Sequence, residues 1–244
     1  MGRPSVVGVI LVAAAIGAAG QSFDVASVKP DKSETGVDRI KISGGSLLIE
    51  NVSLKRLIGM ACGIAEWSDY LLSVPGWMDD ERFDISAKAA PGAMDADVLA
   101  MLQTLLEDRF GLVLHRETRE FSAYALIVAK GGAKVPRAAQ PERAYMFRTL
   151  PGHASGTSVS MGALAGILSR QVFQLDRRVV DLTGLTGTFD VTLDWAPEGS
   201  LGDEAMKPSL LTALQEQFGL RLEARKIPLE VLVVDRGNRV PTAN

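Results

Sequence analysis

The amino-acid sequence predicts an α+β protein made by tandem duplication of a small lobe, with about two helices per lobe packed on an antiparallel or mixed sheet. Two local observations favour this class: apolar residues at helical spacing follow capping serines, and short apolar strands lie between glycine turns. The third observation is that sequence blocks recur in the same order along the chain. With 47% apolar and 23% charged residues among 244, the chain can build a sizeable core.

The repeat consists of four pairs of matching segments. They begin at residues 51 and 158, 82 and 188, 102 and 210, and 124 and 230. The separations stay between 106 (188 − 82) and 108 (210 − 102) residues. This constant spacing predicts lobe one at residues 22–132 and lobe two at residues 145–236, with a linker at 133–144 and a tail at 237–244.

Each lobe is predicted to contain two helices and about five strands. In lobe one, Ser53 caps the first helix, and the second begins near Asp95 or Asp97 and ends before Gly111. The capping serines and the terminal glycine of lobe two are Ser160, Ser209 and Gly219. Residues 40–43 and 46–49 predict a hairpin around Gly44-Gly45. After the second helix we expect two strands joined by a short turn, at 112–118 and 124–129 and again at 220–225 and 231–235.

Residues 1–20 have the pattern of a secretory signal peptide. Arg3 precedes an apolar run at residues 6–19, and small residues stand before Gln21. Cleavage near Gln21 would leave a periplasmic or secreted protein without a membrane span, since a span needs about 20 apolar residues. An uncleaved N-terminal anchor is the alternative, and it would make the chain a membrane-tethered structural protein.

Charge and cysteine content exclude several function classes. The net charge of −3 lacks the basic excess that nucleic-acid binding needs. The single Cys62 and only two histidines, His115 and His153, exclude a multi-cysteine zinc site and disfavour a histidine-based metal site. We therefore predict no nucleic-acid partner, no metal and no cofactor.

The sequence predicts no catalytic residue, because its serine, histidine and cysteine candidates fit structural positions better. In the segment Gly152-His-Ala-Ser-Gly156, Ser155 stands one place too late for a nucleophile elbow, and the repeat places it in a hairpin strand. His115 is expected to face solvent from a strand, and Cys62 to be buried and inert on a packed helix face.

Three groups of charged residues are interpreted as structural. Asp95 and Asp97 fit a helix start better than a cation site. The acidic segment Asp79-Asp80-Glu81 is interpreted as a solvated turn. The basic residues around the linker are interpreted as solvated, with an anionic partner as the alternative: Lys130, Lys134, Arg137, Arg143 and Arg148.

The predicted binding residues are the aromatic side chains Trp67, Tyr70 and Trp77. They follow the first helix of lobe one, and lobe two has no tryptophan in the matching places. Large rings on a connecting segment give much contact area at low entropy cost. The alternative is that Trp77 only pins this segment to its own core.

Segments 23–30, 75–85, 105–120 and 180–190 closely resemble an exported family usually called soil-associated protein, which is expanded in acidobacterial genomes. The family carries a domain of unknown function and brings no catalytic residues. Related domains attached to membrane sensor-type metallopeptidases imply an extracytoplasmic sensing or binding role, although this sequence has no HExxH motif. Residues 158–235 are more weakly similar to the short N-terminal domain of secretins and TonB-linked receptors, which implies a small α+β module that contacts periplasmic proteins.

Together these features predict an exported, non-enzymatic binding or sensing module with an unidentified protein or small-molecule partner. The alternative is an extracytoplasmic hydrolase whose site forms between the lobes from residues distant in sequence. A hydrolase should place His115 or His153 within about 3.2 Å of a serine or carboxylate in a cleft.

Overall fold

A computed structural model describes residues 22–31, 37–197, 199–202 and 206–242. The predicted signal peptide lies outside these residues. The described residues form helices together with antiparallel and mixed sheets, which confirms the α+β class. Among them, no helix has the length and apolar character needed to cross a membrane.

The helices and strands of the described chain have the following bounds. The helices are α1 (Leu54–Ala61), α2 (Trp77–Asp80), α3 (Val98–Phe110), α4 (Met161–Leu168) and α5 (Leu210–Phe218). The strands are β1 (Val25–Pro30), β2 (Arg39–Ser43), β3 (Ser46–Ser53), β4 (Leu72–Ser73), β5 (Arg82–Lys88), β6 (Val113–Val128), β7 (Met146–Leu150), β8 (His153–Ser160), β9 (Val179–Asp181), β10 (Thr188–Asp194) and β11 (Leu220–Arg236).

The chain divides into two compact units. Unit 1 contains the residues up to Arg119 together with those from Leu229 onward, and unit 2 contains Glu120–Pro228. The chain therefore leaves unit 1 within β6 and returns to it within β11. Residues 120–132 belong to unit 2, although the predicted lobe one included them. Residues 229–236 belong to unit 1, although the predicted lobe two included them.

Two long strands replace the four short ones that we expected after the second helices. The predicted turns near residues 119–123 and 226–230 are wrong, because β6 and β11 run through them without a break. The two strands are hydrogen-bonded neighbours, so each satisfies backbone groups that the other would otherwise leave exposed. This long-range pairing is not visible in either segment taken alone.

Unit 1 is built on the antiparallel sheet β1-β5-β3-β2. Gly44 and Gly45 join β2 to β3 with positive φ at both positions, which confirms the predicted hairpin. Leu47, Ile49 and Ile85 from this sheet form a core with α1 and α3. The short β4 pairs in parallel with the end of β11, through Leu72 and Leu232.

A bulge in β3 sets the direction of the first helix. The register of β3 against β5 shifts between Ile49 and Val52, and Asn51 has a φ of 57°. The Asn51 backbone N–H donates to Asp84 Oδ1 at 3.0 Å, which replaces the lost ladder hydrogen bond. Two residues later, Ser53 Oγ accepts from the Arg56 N–H, and this confirms Ser53 as the cap of α1.

Unit 2 contains the same local arrangement on the sheet β10-β8-β7. Ser158 has a φ of 54°, and its N–H donates to Asp190 Oδ1 at 3.1 Å. Ser160 then caps α4 through the Ala163 N–H, as predicted. The short β9 pairs in parallel with the second half of β6, from Tyr124 to Leu126. The duplication itself stays a prediction.

Helices α3 and α5 each end with a phenylalanine that is followed by a glycine. Gly111 and Gly219 both have positive φ, which confirms the predicted helix ends. Phe110 and Phe83 are fully buried in unit 1 with ring centroids 4.9 Å apart at 81°, an edge-to-face contact. Phe189 and Phe218 are buried in unit 2.

We predict that Phe110→Ala lowers the free energy of unfolding by about 3–5 kcal/mol, because it removes a fully buried ring and leaves a cavity. Urea unfolding followed by circular dichroism measures the loss. Leu48→Ala on the exposed side of β3 is the control, with an expected change within about 0.5 kcal/mol. Equal losses in the two variants would contradict the assignment of Phe110 to the core.

We also predict that Asp84→Ala lowers the free energy of unfolding by about 1–3 kcal/mol, because the Asn51 N–H, which lies in a buried residue, loses its acceptor. The same urea titration measures it. Asp24→Ala is the control, since Asp24 is exposed. A loss no larger than that of the control would show that the bulge does not depend on this carboxylate.

Candidate functional site

An open groove in unit 1, lined by both apolar and charged side chains, is a candidate site. Its volume is 540 Å³, and all of its lining residues lie between Ile40 and Asp79. This volume falls within the range of small-molecule sites. Its apolar lining is supplied by Ile40, Met60, Ile64 and Leu72. Two cations and three carboxylates also line it: Lys55, Arg56, Glu66, Asp69 and Asp79.

The helix α1 forms one wall of the groove: one of its faces is apolar and packs in the core, and the other faces the groove. Leu54, Leu57 and Ile58 point into the core of unit 1. Gly59, which also lines the groove, is buried but has no side chain. A Cβ placed there would lie 3.7 Å from both the Ile64 carbonyl oxygen and a Leu72 methyl, which is ordinary contact distance. The glycine therefore leaves space that a larger side chain would fill.

Lys55 and Arg56 place positive charge at the first turn of α1. This position is unfavourable for cations, because the helix dipole is positive at its N-terminus. Neighbouring carboxylates compensate this unfavourable positive charge. Lys55 Nζ lies 3.0 Å from Asp79 Oδ2 and 3.7 Å from Asp69 Oδ2. These ion pairs are partly exposed, so each stabilises the fold by about 0–1 kcal/mol. A charged group of a ligand can therefore replace one partner of the pair.

Arg56 is held by two further carboxylates. Its guanidinium lies 2.5 Å from Asp38 Oδ2 and 3.2 Å from Glu66 Oε1. Arg82 binds the other oxygen of Asp38 at 2.8 Å, so Asp38 bridges two arginines. The rim of the groove is thus a network of charges of both signs.

The predicted aromatic residues lie beside the groove and do not line it. Trp67 and Tyr70 are half-buried in the 3-10 segment Glu66–Leu71, whose acidic residues do reach the groove. Trp77 packs against the core of unit 1, and the Arg239 guanidinium lies 5.6 Å from its ring centroid. Trp77 is thus packed against the core of its own unit, and binding by Trp67, Tyr70 or Trp77 stays a prediction.

The sequence analysis missed the groove residues on α1. A signal for them exists, since two consecutive cations follow a helix cap without an acidic residue in the first turn. At the matching places after Ser160, unit 2 has Gly162 and Ala163. The charged rim is therefore a feature in which the two units differ.

Each histidine ring lies close to a carboxylate, and His115 lies near a second one, since its Nε2 is 3.8 Å from Glu117 Oε2. His115 Nδ1 is 2.9 Å from Asp235 Oδ2, and His153 Nδ1 is 2.8 Å from Asp194 Oδ1. His153 and Asp194 face each other across β8 and β10. Neither histidine lines the groove of unit 1, the cavity of unit 2 near Lys130 and Arg221, or the cavity of unit 2 near Arg143 and Arg148. Such cross-strand pairs are typical of a solvated sheet surface.

The other candidates occupy structural positions. Ser155 lies within β8, as expected, and Cys62 follows α1, where burial raises the pKa of its thiol. Asp95 Oδ1 accepts the Gly45 N–H, and Asp97 Oδ2 accepts the Met94 N–H at 3.3 Å. In the described part of the chain, no three histidine, cysteine, aspartate or glutamate side chains converge as a metal site would require.

The predicted acidic turn at 79–81 begins inside α2, so the expectation of a simple turn is wrong for Asp79 and Asp80. The main-chain N–H of Glu81 donates to the Trp77 carbonyl and closes this single helical turn. Asp79 is held there by Lys55 and is part of the groove.

A family described as protein of unknown function (DUF3738) matches residues 55–236. The match spans most of the described part of both units. Comparison with the curated proteins and with the solved structures gives no significant match. The resemblances to soil-associated proteins and to secretin and TonB-linked domains stay predictions.

We predict that the pKa of His115 lies above its ordinary value of 6.5, chiefly because Asp235 accepts its ring hydrogen bond. The stability from this pair is fully present below the unfolded pKa and is lost as the pH rises through the folded pKa. Proton NMR titration of the ring measures it, and Asp235→Asn should lower the midpoint. An unchanged midpoint in that variant would refute the assigned cause.

Proposed function

We propose that the chain, which belongs to the DUF3738 family of proteins of unknown function, is an exported binding or sensing protein whose ligand occupies the groove of unit 1. The observation that carries the proposal is an apolar-floored groove of 540 Å³ with exchangeable ion pairs along its rim. An apolar floor supplies affinity, and a few charged groups fix orientation.

The charge of the lining favours a ligand with an apolar body and an amino group. Three carboxylates and two cations line the groove, which leaves one carboxylate in excess. A ligand ammonium can replace Lys55 as the partner of Asp69 and Asp79 at little cost, because that pair is partly exposed.

The first experiment compares apolar amines with the matching apolar carboxylates by ligand-observed NMR on the full chain. We expect the amines to bind more tightly, and the double variant Asp69→Asn, Asp79→Asn to reverse the preference. A wild-type chain that binds neither class at millimolar concentration would overturn the proposal.

The location of the ligand is tested by filling the groove. We expect Gly59→Leu to abolish binding of the amines, because its side chain occupies the space above Leu72. Gly76→Leu is the matched control in the same unit, since a Cβ there meets no atom within 4 Å and Gly76 does not line the groove. Binding that survives Gly59→Leu in a folded protein would place the ligand elsewhere.

A hydrolase is the second candidate, and the two histidine–carboxylate pairs are the observation that favours it. A carboxylate can orient a catalytic imidazole, but the reaction also needs a nucleophile or water within reach of the other ring nitrogen. Turnover of generic ester or peptide substrates that disappears in His115→Ala or His153→Ala would support the hydrolase. Absence of turnover in the wild-type chain supports the binding protein.

The proposal that the chain is exported rests on the apolar segment at residues 6–19. Intact-mass measurement of the chain recovered from a Gram-negative host's envelope tests it. A product that starts near Gln21 is expected, whereas a product that starts at Met1 in the membrane fraction would favour the uncleaved anchor.

A further inference from the structure

The sheet β10-β8-β7 of unit 2 has one covered edge, beside β10, and one open edge, beside β7. Beyond β10, the linker residues take the place of a further strand: the Ala138 N–H donates to the Thr188 carbonyl at 3.0 Å, and the Asp190 N–H donates to the Pro136 carbonyl at 3.1 Å. On the other side the sheet ends at β7, and no described residue pairs with its outer edge. The backbone groups on that edge are therefore free to bind another strand.

The side chains of β7 do not protect this edge. Its outward positions carry Met146 and Leu150, which are 53% and 64% exposed, with Arg148 between them. The edge strand β2 of unit 1 has the same burial pattern, but its outward positions are Arg39, Lys41 and Ser43. Charged edges resist strand addition, whereas exposed apolar side chains favour it.

Two arginines give the open edge its charge preference. Arg148 lies on β7 itself, and together with Arg143 it lines a cavity of 560 Å³ over the face that β7 shares with β8 and β10. Within the described residues, neither guanidinium has a hydrogen-bond or ion-pair partner. Among the described residues that line the cavity, Asp190 is the one acidic residue, and its oxygens already accept the Ala139 and Ser158 N–H groups. The unpaired positive charge therefore favours carboxylates on whatever binds there.

Two other basic residues of this region, Lys134 and Arg137, are used inside unit 2. Lys134 Nζ donates to the Glu216 carbonyl at 3.1 Å near the end of α5, where a cation is favourable. The Arg137 guanidinium lies 4.8 Å from the Phe189 ring centroid and donates to the Thr186 carbonyl. Of the remaining three, Lys130 lines a different cavity, whereas Arg143 and Arg148 line the cavity on the sheet β10-β8-β7 and are available to an external ligand.

We propose that β7 binds an extended segment of a partner protein by strand addition, and that this segment alternates apolar and acidic side chains. Backbone hydrogen bonds along β7 supply affinity, and carboxylates facing Arg148 supply selectivity. A second copy of the chain is a poorer occupant, because antiparallel pairing centred on Arg148 sets the two arginines opposite each other. The proposal does not depend on the groove of unit 1.

The experiment measures fluorescence anisotropy of a labelled, end-blocked peptide of alternating valine and glutamate with the full chain. We expect saturable binding, and binding about tenfold weaker when lysine replaces glutamate. Two further peptides are N-methylated at every second residue: one at the odd-numbered positions and the other at the even-numbered positions. At least one of them must fail to bind, because methylation removes the hydrogen bonds on the edge that faces β7.

Charge reversal on the protein locates the site. Arg148→Glu should weaken binding of the glutamate peptide about tenfold, whereas Lys41→Glu, the same change at the centre of β2, should leave it unchanged. Arg148→Gln serves as a second variant, and thermal melting by circular dichroism confirms that each variant is folded.

Several results would overturn the proposal: no binding of the glutamate peptide, equal affinity for the lysine peptide, full binding by both N-methylated peptides, or unchanged affinity in Arg148→Glu. A dimer in sedimentation velocity that disappears in Arg148→Glu would also overturn it, since the edge would then be occupied by a second copy.

Discussion

A hydrogen bond between a main-chain N–H and a carboxylate on the neighbouring strand governs the geometry of unit 1. Asn51 adopts a left-handed conformation, and Asp84 accepts the N–H that the bulge removes from the β3 ladder. The bulge turns the chain so that Ser53 can cap α1. The direction of α1 in turn brings Lys55 to Asp79 and leaves Gly59 beside Leu72, so the bulge contributes to the shape of the groove.

Unit 2 uses the same device with different side chains around it. Asp190 accepts the Ser158 N–H, and the pKa of its carboxyl is held low by the two backbone N–H groups that it binds, from Ala139 and Ser158. The helix that follows carries Gly162 and Ala163 where α1 carries its cations. A common framework therefore supports a charged groove in one unit, while in the other the binding surface that we propose is a strand edge.

Sequence reasoning succeeded where the determinants are local. Ser53 and Ser160 satisfy N–H groups within three residues, Gly111 and Gly219 adopt a conformation that other residues avoid, and the Gly44-Gly45 turn needs no distant partner. It failed for β6 and β11, whose continuity depends on pairing between segments about one hundred residues apart. The groove was missed for the same reason, because Lys55 and Asp79 meet only through the fold.

The return of the chain to unit 1 has a consequence for the order of folding during translation. Unit 2 is contiguous in sequence, so it has all of its residues once Pro228 has been made. Unit 1 still lacks Leu232 and Val234 at that stage, and both belong to its hydrophobic core. The apolar surface of its N-terminal part that packs against these two residues therefore stays exposed while unit 2 is synthesised. General chaperones bind exposed apolar surface of this kind.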